Sequence, residues 1–318
     1  MTDTTVTTSA APAGMIPDEA NTPRVGVILP DVATQQEQHL DLATAARHAE
    51  EAGLDSVWHG DHLAVGAPTL DCTVALAAAA AATTRVRIGT SVLVPALRPL
   101  VWAAKQIASL QHVSGGRLVV GVGSGAAPAG WAAAGVPYEA RGPRTDTALE
   151  LLPSLLAGAP VRLPDEPGQP EVVLAPAVPA PPFWVGNAST VAIRRAARLG
   201  DGWFPSVRPM AELRSGAARL AELAAGYGRA VPTVNLGVAA AIGAGADVRD
   251  RIAAELTEAY GIPADQARDI PVAGPPSEVA ARLRDYRDLG VRHVIVGFTD
   301  GDWRRQCDLL ADARTQLG

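Results

Sequence analysis

From Arg24 onward, short β-branched runs alternate with alanine-rich segments whose apolar residues recur every three or four positions. A β-branched run is a strand signal and a 3.6-residue apolar period is a helix signal. Their strict alternation means parallel strands joined by crossover helices. Eight such units can be counted, with strands expected at 25–29, 55–58, 86–93, 117–122, 183–185, 202–204, 233–241 and 293–297. Each is short and largely apolar, as a strand covered on both faces must be. Eight β-α units over residues 23–318 have the size and rhythm of a (β/α)8 TIM barrel, read here as one α/β domain behind a disordered N-terminal tail, residues 1–22. A doubly wound open sheet is the rival, because periodicity counts units without saying whether the sheet closes.

The helical stripes fit this reading. Leu42, Ala45, Ala46 and Ala49 share a face and Gly53 follows as a stop; Leu100, Ala103, Ala104 and Ile107 repeat the spacing and leave Lys105 outside. Ile193, Ala196, Ala197 and Gly200 do so again, which turns Arg194, Arg195 and Arg198 to solvent. Trp303, Cys307 and Leu310 form the last stripe, so Cys307 reads as a packing residue. Two segments break the rhythm. The proline-rich stretch 159–181 reads as an insertion with a hairpin near 161–163 and 171–174, and 126–142 reads as an active-site loop.

Composition removes several function classes. With 48% hydrophobic residues and a formal net charge of −6, the chain can bury a large core but offers no clustered positive charge for nucleic acid or an anionic membrane. Two cysteines far apart, Cys72 and Cys307, make neither a disulfide framework nor a zinc site, which fits a reducing cytoplasm. The single lysine, Lys105, faces outward and leaves no candidate for a lysine imine.

In a barrel, chemistry gathers at the carboxyl ends of the strands. After the second strand stand Trp58-His59-Gly60-Asp61-His62, a polar loop or a cluster of acid-base groups. A metal centre is not expected, because His39, His48 and His112 lie on helices and His293 opens the last strand, away from the carboxyl-end face. A neutral His62 oriented by a neighbour and donating to a ligand suits the sequence better. After the third strand, Gly89-Thr90-Ser91-Val92-Leu93 keeps small residues either for a glycine kink or for something that approaches the backbone. After the fourth, Gly121-Val122-Gly123-Ser124-Gly125-Ala126 formally matches a dinucleotide fingerprint, yet Pro128 and Gly130 leave no room for the helix that motif requires. A turn exposing amides to an anion is the better reading. After the fifth, Gly186-Asn187-Ala188-Ser189-Thr190 leads into a helix start that suits a phosphate, or simply caps a helix.

Taken in order, Ser56-Val57-Trp58-His59-Gly60-Asp61-His62-Leu63, Gly89-Thr90-Ser91-Val92-Leu93, Ser114-Gly115-Gly116-Arg117-Leu118-Val119-Val120-Gly121-Val122-Gly123, Arg141-Gly142-Pro143-Arg144 and Ala196-Ala197-Arg198-Leu199-Gly200-Asp201-Gly202-Trp203-Phe204 resemble the bacterial luciferase-like superfamily of flavin monooxygenases and deazaflavin oxidoreductases. That resemblance implies a barrel holding coenzyme F420, an 8-hydroxy-5-deazaflavin, or alternatively FMN. It places a bulge with a non-prolyl cis peptide at Ser91-Val92 behind the central ring. It assigns Asp61 and His62 to catalysis, with Asp61 holding His62, and it assigns the phosphate to Gly123, Ser124, Gly125, Gly186, Asn187, Ala188, Ser189 and Thr190. Asp-His together with Gly-Thr-Ser-Val-Leu looks more like the deazaflavin branch. The sugar-phosphate dehydrogenases of that branch carry a glutamate where this chain has Ala126, and lysines that it lacks. The expected activity is hydride transfer to or from a small organic substrate, with His62, or His59 if it faces inward, as the proton donor. The resemblance also implies a homodimer and, in the FMN case, a partner reductase and dioxygen. A flavin-binding protein without turnover is the third reading.

Overall fold

The computed structural model describes residues 22–63 and 68–317; the expected tail, apart from Thr22, lies outside them. β1 (Arg24–Ile28) is followed by α1 (Val32–Glu37) and α2 (Leu42–Glu51), β2 (Ser56–His59) by α3 (Cys72–Ala82), β3 (Arg87–Leu93) by α4 (Leu100–Val113), and β4 (Leu118–Val122) by α5 (Pro128–Ala133) and α6 (Arg141–Leu156). A small hairpin, β5 (Val161–Arg162) and β6 (Glu171–Val172), leads to β7 (Phe183–Gly186) with α7 (Thr190–Leu199) and β8 (Gly202–Phe204) with α8 (Met210–Gly226). Then come β9 (Thr233–Ile242), α9 (Ala246–Tyr260), α10 (Ala264–Ala267), β10 (Val272–Gly274), α11 (Pro276–Leu289), β11 (Val291–Phe298) and α12 (Trp303–Thr315).

The strands run β10-β9-β11-β1-β2-β3-β4-β7-β8, and an additional β9–β8 pairing closes the ring. Its pairs are all parallel. The sheet is therefore a closed (β/α)8 barrel, and the open doubly wound alternative is excluded. All the expected strands are present, each within a residue or two of its expected ends. The closing seam is narrow: only Gly202↔Thr233 and Trp203↔Val234 join β8 to β9. The carboxyl end of β9 pairs instead with β10, which sequence periodicity did not reveal because it is three residues between prolines.

Between sheet and helices lies the main core. Asp41 caps α2 by accepting from the Thr44 amide at 2.8 Å, Gly53 takes a left-handed φ of +89°, and Leu42, Ala45, Ala46 and Ala49 are buried as their spacing predicts. α7 departs from expectation. Its stripe includes Arg195, which is buried rather than turned to solvent, whereas Arg194 and Arg198 are exposed. Counting from Ala192 rather than Ile193 puts residue 195 at i+3 on the covered face. Inside the barrel a second cluster comprises Trp58, Val119, Trp184, Phe204 and Ile295, with Trp58 and Trp184 stacked at 5.2 Å. A Cβ on Gly89 would stand 2.1 Å from the Trp58 ring, so what approaches the backbone there is Trp58 itself. Among the described residues no helix is long and apolar enough to cross a membrane.

Candidate active site

β3 does not run straight to its end. Its register on β4 shifts between Thr90 and Leu93, and the Ser91-Val92 peptide within that bulge is cis. The Val92 side chain is seated among three glycines of the neighbouring strands. A Cβ on Gly123 would lie 2.5 Å from Val92 Cγ2, and those on Gly121 and Gly186 would lie 3.2 Å and 3.1 Å from its Cγ1. These glycines admit a protein side chain to the barrel mouth. Gly60 works alike: a Cβ there would meet the His62 ring at 2.7 Å and the Ser91 carbonyl oxygen at 3.2 Å, so His62 and the bulge come together over it.

Asp61 and His62, adjacent in sequence, do not form a pair. The Asp61 carboxylate, 5% exposed, accepts from Arg98 Nη2 at 2.5 Å and from the Val94 amide at 3.0 Å. His62 is exposed, and among the described residues its ring has no hydrogen-bond partner. The expectation that Asp61 holds His62 is thus corrected: the carboxylate turns to the arginine that follows β3, where a buried charge finds its counter-charge. Arg98, absent from the sequence-derived candidates, stands two residues before α4, and its one visible sign was a basic side chain just past a strand end. His59 does not face the barrel interior either. Ser56 and Trp58 point inward, so His59 takes the other side of the strand, near Asp71 and Asp61. Its Nδ1 donates to the Gly60 carbonyl at 2.9 Å, and burial holds its pKa below the ordinary imidazole value, so the ring is neutral.

The strand-four turn and the start of α7 are neighbours at the mouth, because β4 pairs with β7. The Gly123 amide donates to the Leu93 carbonyl at 2.8 Å and Gly125 takes φ +62° with its α-carbon against Trp131, whose Nε1 would lie 2.9 Å from a Cβ there. A helix does begin after this turn, contrary to expectation: α5 starts on Pro128, a residue that tolerates the first helical position because the amide there is unbonded anyway. Asn187 has φ +82° and its Oδ1 accepts from the Ser189 amide at 2.8 Å. Ser189 caps α7, its Oγ accepting from Ala192 at 3.3 Å. Ala188 is half-buried beside them. Among the described residues the amides of Ser124, Gly125, Thr190 and Val191 meet no protein acceptor. Arg195 joins the two sides. It is 7% exposed, its Nε lies 2.8 Å from Asp146 Oδ1, and its Nη1 lies 3.1 Å from Ser124 Oγ.

This donor set fits an oxyanion attached to a flat ring, with the amides and the Ser124 hydroxyl at one end and the Val92 bulge at the other. No cluster of three or more His, Cys, Asp or Glu side chains able to hold a metal exists among the described residues. Cys72 and Cys307 are buried and burial pushes both thiols up, which makes them inert packing groups. Trp131 and Tyr138, two aromatics of the 126–142 loop, pack edge to face at 6.3 Å in a small apolar cluster with Val94 and Ala96.

The family model for luciferase-like monooxygenases matches residues 24–266. An uncharacterised protein of Mycobacterium tuberculosis is 35% identical over 169 residues, which are 52% of this chain and 58% of that protein, so the chain spans little more than half of its length. The F420-dependent glucose-6-phosphate dehydrogenase of Amycolatopsis mediterranei is 29% identical over 307 residues, covering 80% of this chain and 87% of the relative. Among solved structures, an F420-dependent secondary alcohol dehydrogenase in complex with an F420-acetone adduct superimposes with a TM-score of 0.78 at 18% identity, over 93% of this chain and 99% of that one. The oxygenating constituent of 3,6-diketocamphane monooxygenase from Pseudomonas putida, in complex with FMN, gives a TM-score of 0.75 at 15% identity, over 93% and 99%. At those identities the likeness is one of fold.

Proposed function

The chain belongs to the luciferase-like monooxygenase family, and from that premise we propose that it is an oxidoreductase working with coenzyme F420 on a small organic substrate. The observation that carries the reading is the set of amides at Ser124, Gly125, Thr190 and Val191, without a partner among the described residues, after the adjacent strands β4 and β7 whose glycines seat the Val92 bulge. When bound, the deazaflavin supplies a ring carbon that gives or takes hydride. Gly123, Ser124 and Gly125 on one side, and Gly186, Asn187, Ala188, Ser189 and Thr190 on the other, bind its phosphate. Ser91 and Val92 back its ring, and the three glycines that seat Val92 fix how deep the ring can sit. His62 holds or releases a proton at the substrate heteroatom and is oriented by Gly60 and the bulge, since Asp61 is engaged elsewhere.

Ala126 and the single lysine argue against glucose 6-phosphate and for a substrate without a phosphate, among reducible carbonyls, imines and alkenes or oxidisable alcohols. The reading includes a homodimeric cytoplasmic enzyme. Parallel fluorescence titration of the purified protein with F420 and with FMN, oxidised and reduced, tests it. F420 is expected to bind far more tightly. Preference for reduced FMN, followed by substrate-dependent oxygen uptake, would establish the second reading, a monooxygenase served by a separate reductase. That alternative is favoured by a relative of Streptomyces nodosus named 4-hydroxyprotoasukamycin monooxygenase, 31% identical over 115 residues. Replacing His62 with Ala is expected to lower turnover by 10²-fold or more, as loss of a general acid or base does, while cofactor affinity stays within about twofold. Turnover equal to wild type would remove His62 from the mechanism.

A further inference from the structure

We infer that Arg195 fixes the hydroxyl of Ser124 as a hydrogen-bond donor to the phosphoryl oxygens of the bound coenzyme; the inference rests on the cofactor reading above and adds a residue whose sequence position pointed to solvent. A guanidinium has donors and no acceptor. In the 3.1 Å contact between Arg195 Nη1 and Ser124 Oγ, the serine oxygen must therefore accept. A hydroxyl whose lone pair is taken in this way keeps its own hydrogen, and among the described residues Ser124 donates it to no protein acceptor.

Arg195 is held so that it can do this reproducibly. Its Nε and Nη2 face Asp146 at 2.8 and 3.4 Å, its Nη2 also donates to the Gly142 carbonyl at 3.3 Å, and the side chain is 7% exposed. The carboxylate occupies the Nε–Nη2 edge of the guanidinium and leaves Nη1 for the serine. Arg198 reaches the same Asp146 at 3.9 Å and Glu150 at 2.8 Å, so two cations meet two carboxylates and the cluster carries no net charge. Its effect on an anion is thus one of orientation. Arg195 orients a hydrogen, beside the amides of Ser124 and Gly125 and the start of α7, which have no partner among the described residues. The ligand chemistry this selects is a phosphate ester, the monoester of FMN or the diester of F420, against the same ring system ending in a free alcohol.

The test measures affinity by fluorescence for four probes: FMN, riboflavin, F420, and the 8-hydroxy-5-deazaflavin whose ribityl chain ends in a free alcohol. For the wild type, the coenzyme it binds should exceed its phosphate-free counterpart by roughly ten- to hundredfold, the usual effect of hydrogen bonds to a charged group. Ser124→Ala and Arg195→Met should each lower that ratio about tenfold while leaving phosphate-free binding unchanged. Arg195→Met should add nothing once Ser124→Ala is present, because both remove one oriented hydrogen. Arg195→Lys, which keeps a donor near Oγ, should recover part of the ratio. If Arg195→Met does not fold, Ser124→Ala and Arg195→Lys carry the comparison alone. Equal losses for phosphorylated and phosphate-free probes, or fully additive effects, would mean that Arg195 only braces the helix and would overturn the inference. A wild type that binds neither coenzyme would overturn the cofactor reading itself.

Discussion

Trp131 is 1% exposed, yet its Nε1 is buried with no acceptor among the described residues. An indole N–H left in this state costs about 1–3 kcal/mol, while the ring itself pays its way through contacts with Val94, Ala96 and Tyr138. Trp131→Phe is therefore expected to leave Tm unchanged or raise it, whereas Trp131→Ala should cost about 3–5 kcal/mol in denaturant unfolding. A Phe variant that loses cofactor affinity at normal stability would show that the N–H meets an acceptor in the loaded enzyme. Nothing in the sequence told which way this ring points. Likewise the direction of Arg195 depends on a single-residue choice in drawing the α7 stripe, and long cationic side chains sit at the border of such stripes in either state.

At the scale of elements, Asp61 and His62 divide between two tasks. Asp61 ties the end of β2 to the tail of β3 through Val94 and Arg98. Removing one member of a buried ion pair strands the other, so Asp61→Ala should cost on the order of 3 kcal/mol in equilibrium unfolding. The exposed His62 should cost under about 0.5 kcal/mol when replaced by Ala. Similar losses in the two variants would mean that the residues work as the unit their adjacency suggested. The strands and helices were legible because short apolar β-branched runs and stripes of period 3.6 report burial directly, whereas closure of the sheet was not. The insertion hairpin was legible from its prolines, and its Glu166 accepts from the Leu100 amide at 3.1 Å, at the start of α4. What a strand-end carboxylate binds was not legible, since its partner lies 37 residues away and is brought to it by the pairing of β2 with β3.

The whole molecule is pinned from within by a neutral histidine. Trp58 Nε1 donates to Ser56 Oγ at 2.6 Å, and the same hydroxyl is hydrogen-bonded to His293 Nε2 at 2.7 Å. Burial above all, then the positive charge of Arg24, Arg87 and Arg314, lowers the His293 pKa to about 3. The unfolded chain binds that proton near pH 6.5, the folded barrel only near 3. Between those values the unfolded state carries more protons, and stability falls as pH drops, by at most about 1.4 kcal/mol per pH unit for this group. His293→Gln, which can still hydrogen-bond to Ser56 but does not titrate, should flatten the pH dependence of unfolding between pH 6 and 4 relative to wild type. Parallel curves for the two proteins would exclude His293 as a source of acid sensitivity. Closure of the ring, which periodicity left open, is what buries this histidine.

That closure is lopsided. Every candidate cofactor contact, together with Arg195, precedes Asp201 in the chain and stands on β2, β3, β4, β7 or the turns and helix that follow them, while β8 joins β9 through two residue pairs. One arc of the wall holds all the proposed anchoring groups, and the other arc, from β9 to β11, holds none of them. Substitutions in the second arc and its loops can therefore change what is admitted to the mouth without touching any of the groups proposed to hold the coenzyme.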